Sequence, residues 1–200
     1  MQLRAMAVEF PAVAGHPNRV AFEGVLTLVD LPSDKAPSGA RGHKVVLTRE
    51  AAETAMPSLL GMAVDFKAGW DGHDAKQKCG IITAASIEGD AVRVSGYLFA
   101  RDFAEMMREM HAHGDEALGM SYELADAHVE NMRAEVWRLT RATFTGAAIL
   151  LRTKAAYRNT SFRVVKERVA ACSARAGARD VKRAPAMEPM PSRRCVSAVR

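Results

Sequence analysis

The sequence predicts a mainly β protein with peripheral helices, an α+β domain whose strands form an antiparallel barrel or sandwich. Three observations carry this. Short apolar or alternating runs recur from Val20 to Leu151. Only two segments before the C-terminal region read as helices, one around Glu50 and one around Met107. Those two do not alternate with the strands as βαβ units would. At 200 residues and 48% hydrophobic content, the chain fits one ordinary domain with its own core plus an appendage.

Met6 to Phe10 alternates weakly and reads as an edge strand. Arg19 to Asp30 carries Val20, Phe22, Val25, Leu26, Leu28 and Val29 around Gly24, which predicts a long strand bulged at the glycine. Leu31 to Gly42, rich in Pro, Ser, Gly and charge, is a loop. Lys44 to Leu47 is a short strand. Thr48 caps a helix from Arg49 to Met56, with Glu50 and Glu53 near its positive end, and Pro57 stops it. Gly61 to Phe66 is a further strand, followed by the polar loop Lys67 to Lys78.

Cys79 to Ile87 and Ala91 to Ala100 form a hairpin around Glu88-Gly89-Asp90. Phe103, Met106, Met107 and Met110 set a helix over Arg101 to His113, with Asp102 as N-cap and Gly114 as the residue beyond its end. Leu118 to Glu130 alternates as a strand, and Asn131-Met132-Arg133 turns. Ala134 to Thr143 and Phe144 to Leu151 then return as strands. After Phe162 the pattern stops, apart from a short helical stretch from Val164 to Ala171. The domain is therefore set at 1–162, with 163–200 as a flexible tail.

Charge divides at the same place. Arg163 to Arg200 holds ten Lys/Arg against three Asp/Glu, a net +7; the rest holds 18 against 20, a net −2. Such a tail suits polyanions, nucleic acid or acidic protein surfaces, or is simply a solvated end. No run reaches the ~18 apolar residues of a membrane span, and no apolar stretch follows Met1-Gln2-Leu3-Arg4, so neither a membrane partner nor a signal peptide is expected. Cys79, Cys172 and Cys195 are odd in number and widely spaced, which predicts free thiols, with Cys79 a small core residue.

Two short segments carry chemistry. Asp71-Gly72-His73-Asp74 lies in the polar loop, and Leu118-Gly119-Met120-Ser121-Tyr122-Glu123 opens a strand. Serine becomes a nucleophile only when a base takes its proton, and histidine is the natural base at neutral pH. Asp71 and Asp74 flank the histidine and are candidates to fix its tautomer. Gly119 permits close backbone approach, room that a substrate or tetrahedral intermediate needs. Against this stand plainer readings: His73 as a solvated loop residue, Ser121 as a small polar residue on the outer face of a strand.

With Cys79-Gly80-Ile81-Ile82, Val94-Ser95-Gly96-Tyr97-Leu98 and Phe144-Thr145-Gly146-Ala147-Ala148-Ile149-Leu150, these segments resemble the prohead (capsid maturation) proteases of tailed phages, relatives of the herpesvirus assemblins. The resemblance runs from about Val8 to about Phe162. It implies a serine endopeptidase on an antiparallel β-barrel, with His73 as base and Ser121, 48 residues later, as nucleophile. It implies scaffold and major capsid proteins as substrates, and self-association as a homodimer or as assembly within the procapsid. The location implied is the cytoplasm of a bacterial host, inside an assembling procapsid. No cofactor and no metal are called for.

The third member departs from the family, whose phage members often carry an acid on the strand after the serine. Here that position is Thr145, or Thr143, which orients a ring without supplying charge. Asp74, Glu123 and His128 are alternatives. A capsid-assembly or scaffold-like protein without turnover is therefore the second function reading, and nucleic-acid binding through the tail a third. His111 and His113 stand two apart, off the single helix face a zinc pair needs. The cluster Met106, Met107, Met110 and Met120 reads as core. No phosphate-binding glycine fingerprint occurs, and Trp70 and Trp137 are too isolated to form a stacking platform for bases.

Overall fold

The computed structural model describes residues 5–7 and 15–165. Residues 8–10 of the expected first strand and 166–200 of the expected tail, with Cys172 and Cys195, lie outside the described residues. The described chain is mostly β with two helices. Its strands are β1 (Ala5–Ala7), β2 (Val20–Leu28), β3 (Lys44–Leu47), β4 (Ala63–Phe66), β5 (Lys78–Glu88), β6 (Ala91–Leu98), β7 (Leu118–Val129), β8 (Val136–Leu151) and β9 (Ser161–Val164). The helices are α1 (Arg49–Ala55) and α2 (Ala104–His113). No helix among the described residues is long and apolar enough to cross a membrane.

The sheet corrects the expected antiparallel barrel. Its hydrogen-bonded path runs β3-β8-β4-β5-β6-β2-β9, with β1 added at β5 and β7 at β8, and it does not close. It is also mixed: β3 and β4 both pair parallel with β8. The reason lies between them. Parallel neighbours need a crossover connection, and α1 followed by a 3₁₀ turn, Met56–Leu59, carries the chain back so that β4 runs in the direction of β3. Thr48 caps α1 as expected, its side chain accepting from Ala51 N at 3.3 Å. Pro57 does not stop the chain dead; it sits in the first turn of the 3₁₀ segment, where its missing N–H costs nothing.

β8 is one strand, not two. Thr145 is the extra residue of a bulge: Glu123 pairs with Gly146, and the next pair along is Leu124 with Phe144. β7 lies along one edge of β8, and β3 and then β4 along the other. One face of these strands enters the core. Val64, Ala147, Ile149, Leu118 and Met120 are buried there with Met106 and Met110 of α2. Cys79 is buried too, and burial pushes its thiol up to about 12, so it is the inert core residue expected.

Smaller differences have local causes. The irregularity in β2 falls between Val25 and Thr27, not at Gly24. Gly24 serves instead as a close-approach point, where a Cβ would stand 2.4 Å from Ser161 O of β9. α2 begins at Ala104 with Phe103 and not Asp102 at the cap position; the Asp102 carboxylate instead accepts from Asn18 Nδ2 at 2.7 Å. β9 carries the ladder through Val164, past the expected boundary at Phe162, and Val165 N still donates to Ala21 O at 2.8 Å.

The tightest backbone approach is at Gly96, paired with Ile82, where a Cβ would lie 1.9 Å from Ile81 O. Gly96→Ala is expected to lower the unfolding free energy by about 3 kcal/mol or more, because backbone must move on two strands. Gly61→Ala, with positive φ but open space, should lose only about 1–2 kcal/mol. Urea unfolding checks the order; equal losses would contradict it.

Candidate active site

The site lies on the face of β4, β8 and β7 opposite the core. Pairing register fixes its layout. Asp65 of β4 pairs with Ala148 of β8, and Ala148 pairs with Ser121 of β7. Directly paired residues share a face, so Asp65, Ala148 and Ser121 form one row across three strands. Glu123 and Gly146 form the next row on that face. The middle strand therefore contributes only small residues, Gly146 and Ala148, as a floor.

The loop after β4 brings His73 over that floor. It turns at Gly69 and Trp70, both in the left-handed region, at φ 87 and φ 56. A tryptophan there is strained and is held by its surroundings. Trp70 is buried, its Nε1 donates to Glu109 Oε2 at 2.9 Å, and its carbonyl accepts from Leu151 N at 2.9 Å. His73 Nδ1 then stands 3.5 Å from Asp65 Oδ1 and 4.0 Å from Glu123 Oε1. An atom within reach of carboxylates on both flanking strands lies above the strand between them. Glu123 reaches across in the same way: a Cβ on Gly146 would meet its Oε2 at 2.6 Å. Both imidazole nitrogens are buried, and neither makes a hydrogen bond.

Asp65 is the residue sequence reasoning missed. Its side chain is 1% exposed, whereas that of Glu123 is 54% exposed. Lys78 Nζ donates to Asp65 Oδ2 at 2.8 Å, and Asp74 N donates to Oδ1 at 3.2 Å. Burial pushes the Asp65 carboxyl up; His73 and Lys78 outweigh it and hold the group below its ordinary value. The available signal was a charge inside the apolar run Ala63-Val64-Asp65-Phe66.

The expected flanking acids do other work. Asp71 pairs with Lys67 at 3.0 Å, which lowers its carboxyl, and Asp74 Oδ1 accepts from Lys76 N at 2.9 Å. His128 hydrogen-bonds Thr140 Oγ1 at 2.8 Å. Thr145, exposed at the bulge, makes no hydrogen bond to the imidazole. Room at Gly119 is already taken, because a Cβ would stand 2.6 Å from Thr160 Oγ1. His111 Nδ1 donates to Met107 O in the last turn of α2, and His113 packs edge-on to Trp70. No cluster of metal-ligating side chains occurs among the described residues.

His73, Ser121 and Thr145 line one cavity of about 1170 Å³, together with Glu123, Leu124 and Trp137. The arrangement offers a half-buried hydroxyl and an unsatisfied imidazole lining the cavity, with a buried ionised carboxylate on the same face of the sheet. Those are the groups that acyl transfer requires.

No family model matches this sequence, and no curated protein matches it. Among solved structures the chain is similar to KSHV protease in complex with a hexapeptide phosphonate inhibitor, with a TM-score of 0.48 and 11% identity. The match covers 74% of this chain and 66% of that one.

Proposed function

We propose that this chain is a serine endopeptidase that processes scaffold and capsid proteins during phage head maturation. The observation that carries the reading is that Ser121 shares a cavity with a half-buried imidazole whose two nitrogens are both buried and unsatisfied. A buried polar atom without a partner is costly and marks a group kept for work, such as taking and returning a proton. The resemblance in the segments around His73 and Ser121 supplies the substrate class.

In the reaction, Ser121 Oγ attacks the scissile carbonyl carbon as its proton passes to His73. His73 returns that proton to the leaving amine as the C–N bond breaks. Water, deprotonated by the same imidazole, then attacks the acyl carbon, and the imidazolium returns that proton to Ser121 Oγ as the ester C–O bond breaks. The apo side chains are not yet in hydrogen-bond contact, a looseness that substrate binding removes.

That same looseness favours a second reading, a capsid-assembly or scaffold-like protein that keeps the fold without turnover. Labelling with a fluorophosphonate, alone and within assembled procapsids, separates the two. Under the first reading Ser121 is modified, and Ser121→Ala and His73→Ala each lose nearly all processing of co-expressed scaffold and capsid proteins, since such residues act as a unit. Unchanged processing by Ser121→Ala would overturn the assignment.

The net +7 of residues 163–200 is proposed as a docking segment that delivers the enzyme to the procapsid and is later cleaved off. Truncation belongs after Val165, which leaves β9 on β2. The shortened chain is expected to fold and cleave peptides yet stay out of procapsids; undiminished entry would reduce the tail to a passive end.

A further inference from the structure

We propose that Asp65 is the carboxylate that orients His73, and that Lys78 holds it in place for that task. The inference rests on the reading of His73 and Ser121 as base and nucleophile. It assigns the third position to a strand before the histidine, where the resemblance pointed to Thr145 after the serine.

Geometry comes first. Asp65 and Ser121 face the same way from strands two places apart, roughly 9–10 Å between backbones. An imidazole with a hydrogen bond at each nitrogen spans roughly 8 Å between its two oxygen partners. The ring therefore fits over Ala148, with Nδ1 toward Asp65, as observed at 3.5 Å, and Nε2 free for the serine side. A larger residue than Ala148 would occupy that space.

Fixation comes second. Lys78 holds Oδ2 and the Asp74 amide holds Oδ1, so the carboxylate is restrained at both oxygens. Glu123 lacks such restraint: its carboxylate is more than half exposed and stands further off, so solvent screens it. Thr145 carries no charge and makes no hydrogen bond to the ring.

Charge comes third. An imidazolium formed during the reaction is stabilised by Asp65, which is buried and ionised. The charged groups beside the ring nitrogen are Asp65 from β4 and Glu123 from β7; Lys78 from β5 pairs with Asp65, and Asp71 and Asp74 lie on the histidine's own loop. Lys35, Arg41 and Lys154 line the same cavity. Loss of the Asp65 charge leaves Lys78 unbalanced beside the ring. Both changes disfavour the imidazolium, so its titration moves to lower pH.

The test reads His73 directly by ¹⁵N NMR in the Ser121→Ala chain, which leaves Asp65 in place. The expected neutral form carries its proton on Nδ1, toward Asp65; a proton on Nε2 overturns the proposal. Asp65→Asn should shift the His73 midpoint to lower pH and slow labelling of Ser121 about 10³-fold or more. Glu123→Gln and Thr145→Val should each slow it less than about tenfold. An unmoved midpoint, or Thr145→Val slowing labelling as much as Asp65→Asn, also overturns it. Should Asp65→Asn fail to fold, the tautomer in the intact site still decides. Absent labelling in every form removes the protease reading, and the tautomer and the titration midpoint then decide whether Asp65 orients the ring.

Discussion

The site depends on β8. This 16-residue strand carries β7 on one edge and β3 and β4 on the other, so it fixes the spacing of everything that brackets the imidazole. A strand shared in this way holds its neighbours about 4.8 Å to either side. That spacing, not a loop, sets the distance from Asp65 to Ser121. The two faces of β8 are used differently. Ala147 and Ile149 enter the core, while Gly146 and Ala148 keep the other face low enough for a side chain to lie across it. The bulge at Thr145 falls between Phe144 and Gly146, so the strand keeps pairing with β7 on both sides of one unpaired residue.

Most elements were legible from local pattern. Lys44 to Leu47 matches β3, the hairpin around Gly89 forms with that glycine at φ 61, and Gly114 closes α2 at φ 77. Thr48 caps α1 through its hydroxyl. What failed was non-local. Parallel pairing with β8 joins residues 92 positions apart for β3 (Lys44 with Val136) and 83 apart for β4 (Val64 with Ala147), and no local period encodes it. The mixed, open sheet therefore replaced an antiparallel barrel. Asp102 looked like a cap until Asn18, distant in sequence, engaged it.

The candidate site shows the same division. His73 and Ser121 stood out because of their glycine neighbours and their order, and the fold brings both to one cavity. Their local accompaniment misled. Asp71 and Asp74 flank the histidine in sequence, but their carboxylates turn to Lys67 and to the Lys76 amide. Gly119 precedes the serine, yet its open space belongs to Thr160. Neighbours in a loop are set by how the loop turns, here at Gly69 and the strained Trp70, and that turn is anchored by Glu109 and Leu151. Nothing within the segment itself announces those anchors.

A buried carboxylate beside a half-buried histidine also explains why Lys78 is where it is. Ionising Asp65 inside the protein costs several kcal/mol unless opposite charge and hydrogen bonds offset it. Lys78 pairs with Asp65 across the β4–β5 ladder and offsets that cost permanently, so the carboxylate need not wait for His73 to gain a proton. Seen from the ring, β4 and β7 are equivalent flanks of β8, and the proposed triad takes its orienting acid from the flank far from the serine, whereas a sequence motif would seek it after the serine. Triads are defined by such placement and not by order along the chain. The register of β4 against β8 is then a better guide to the orienting acid than any residue count from Ser121.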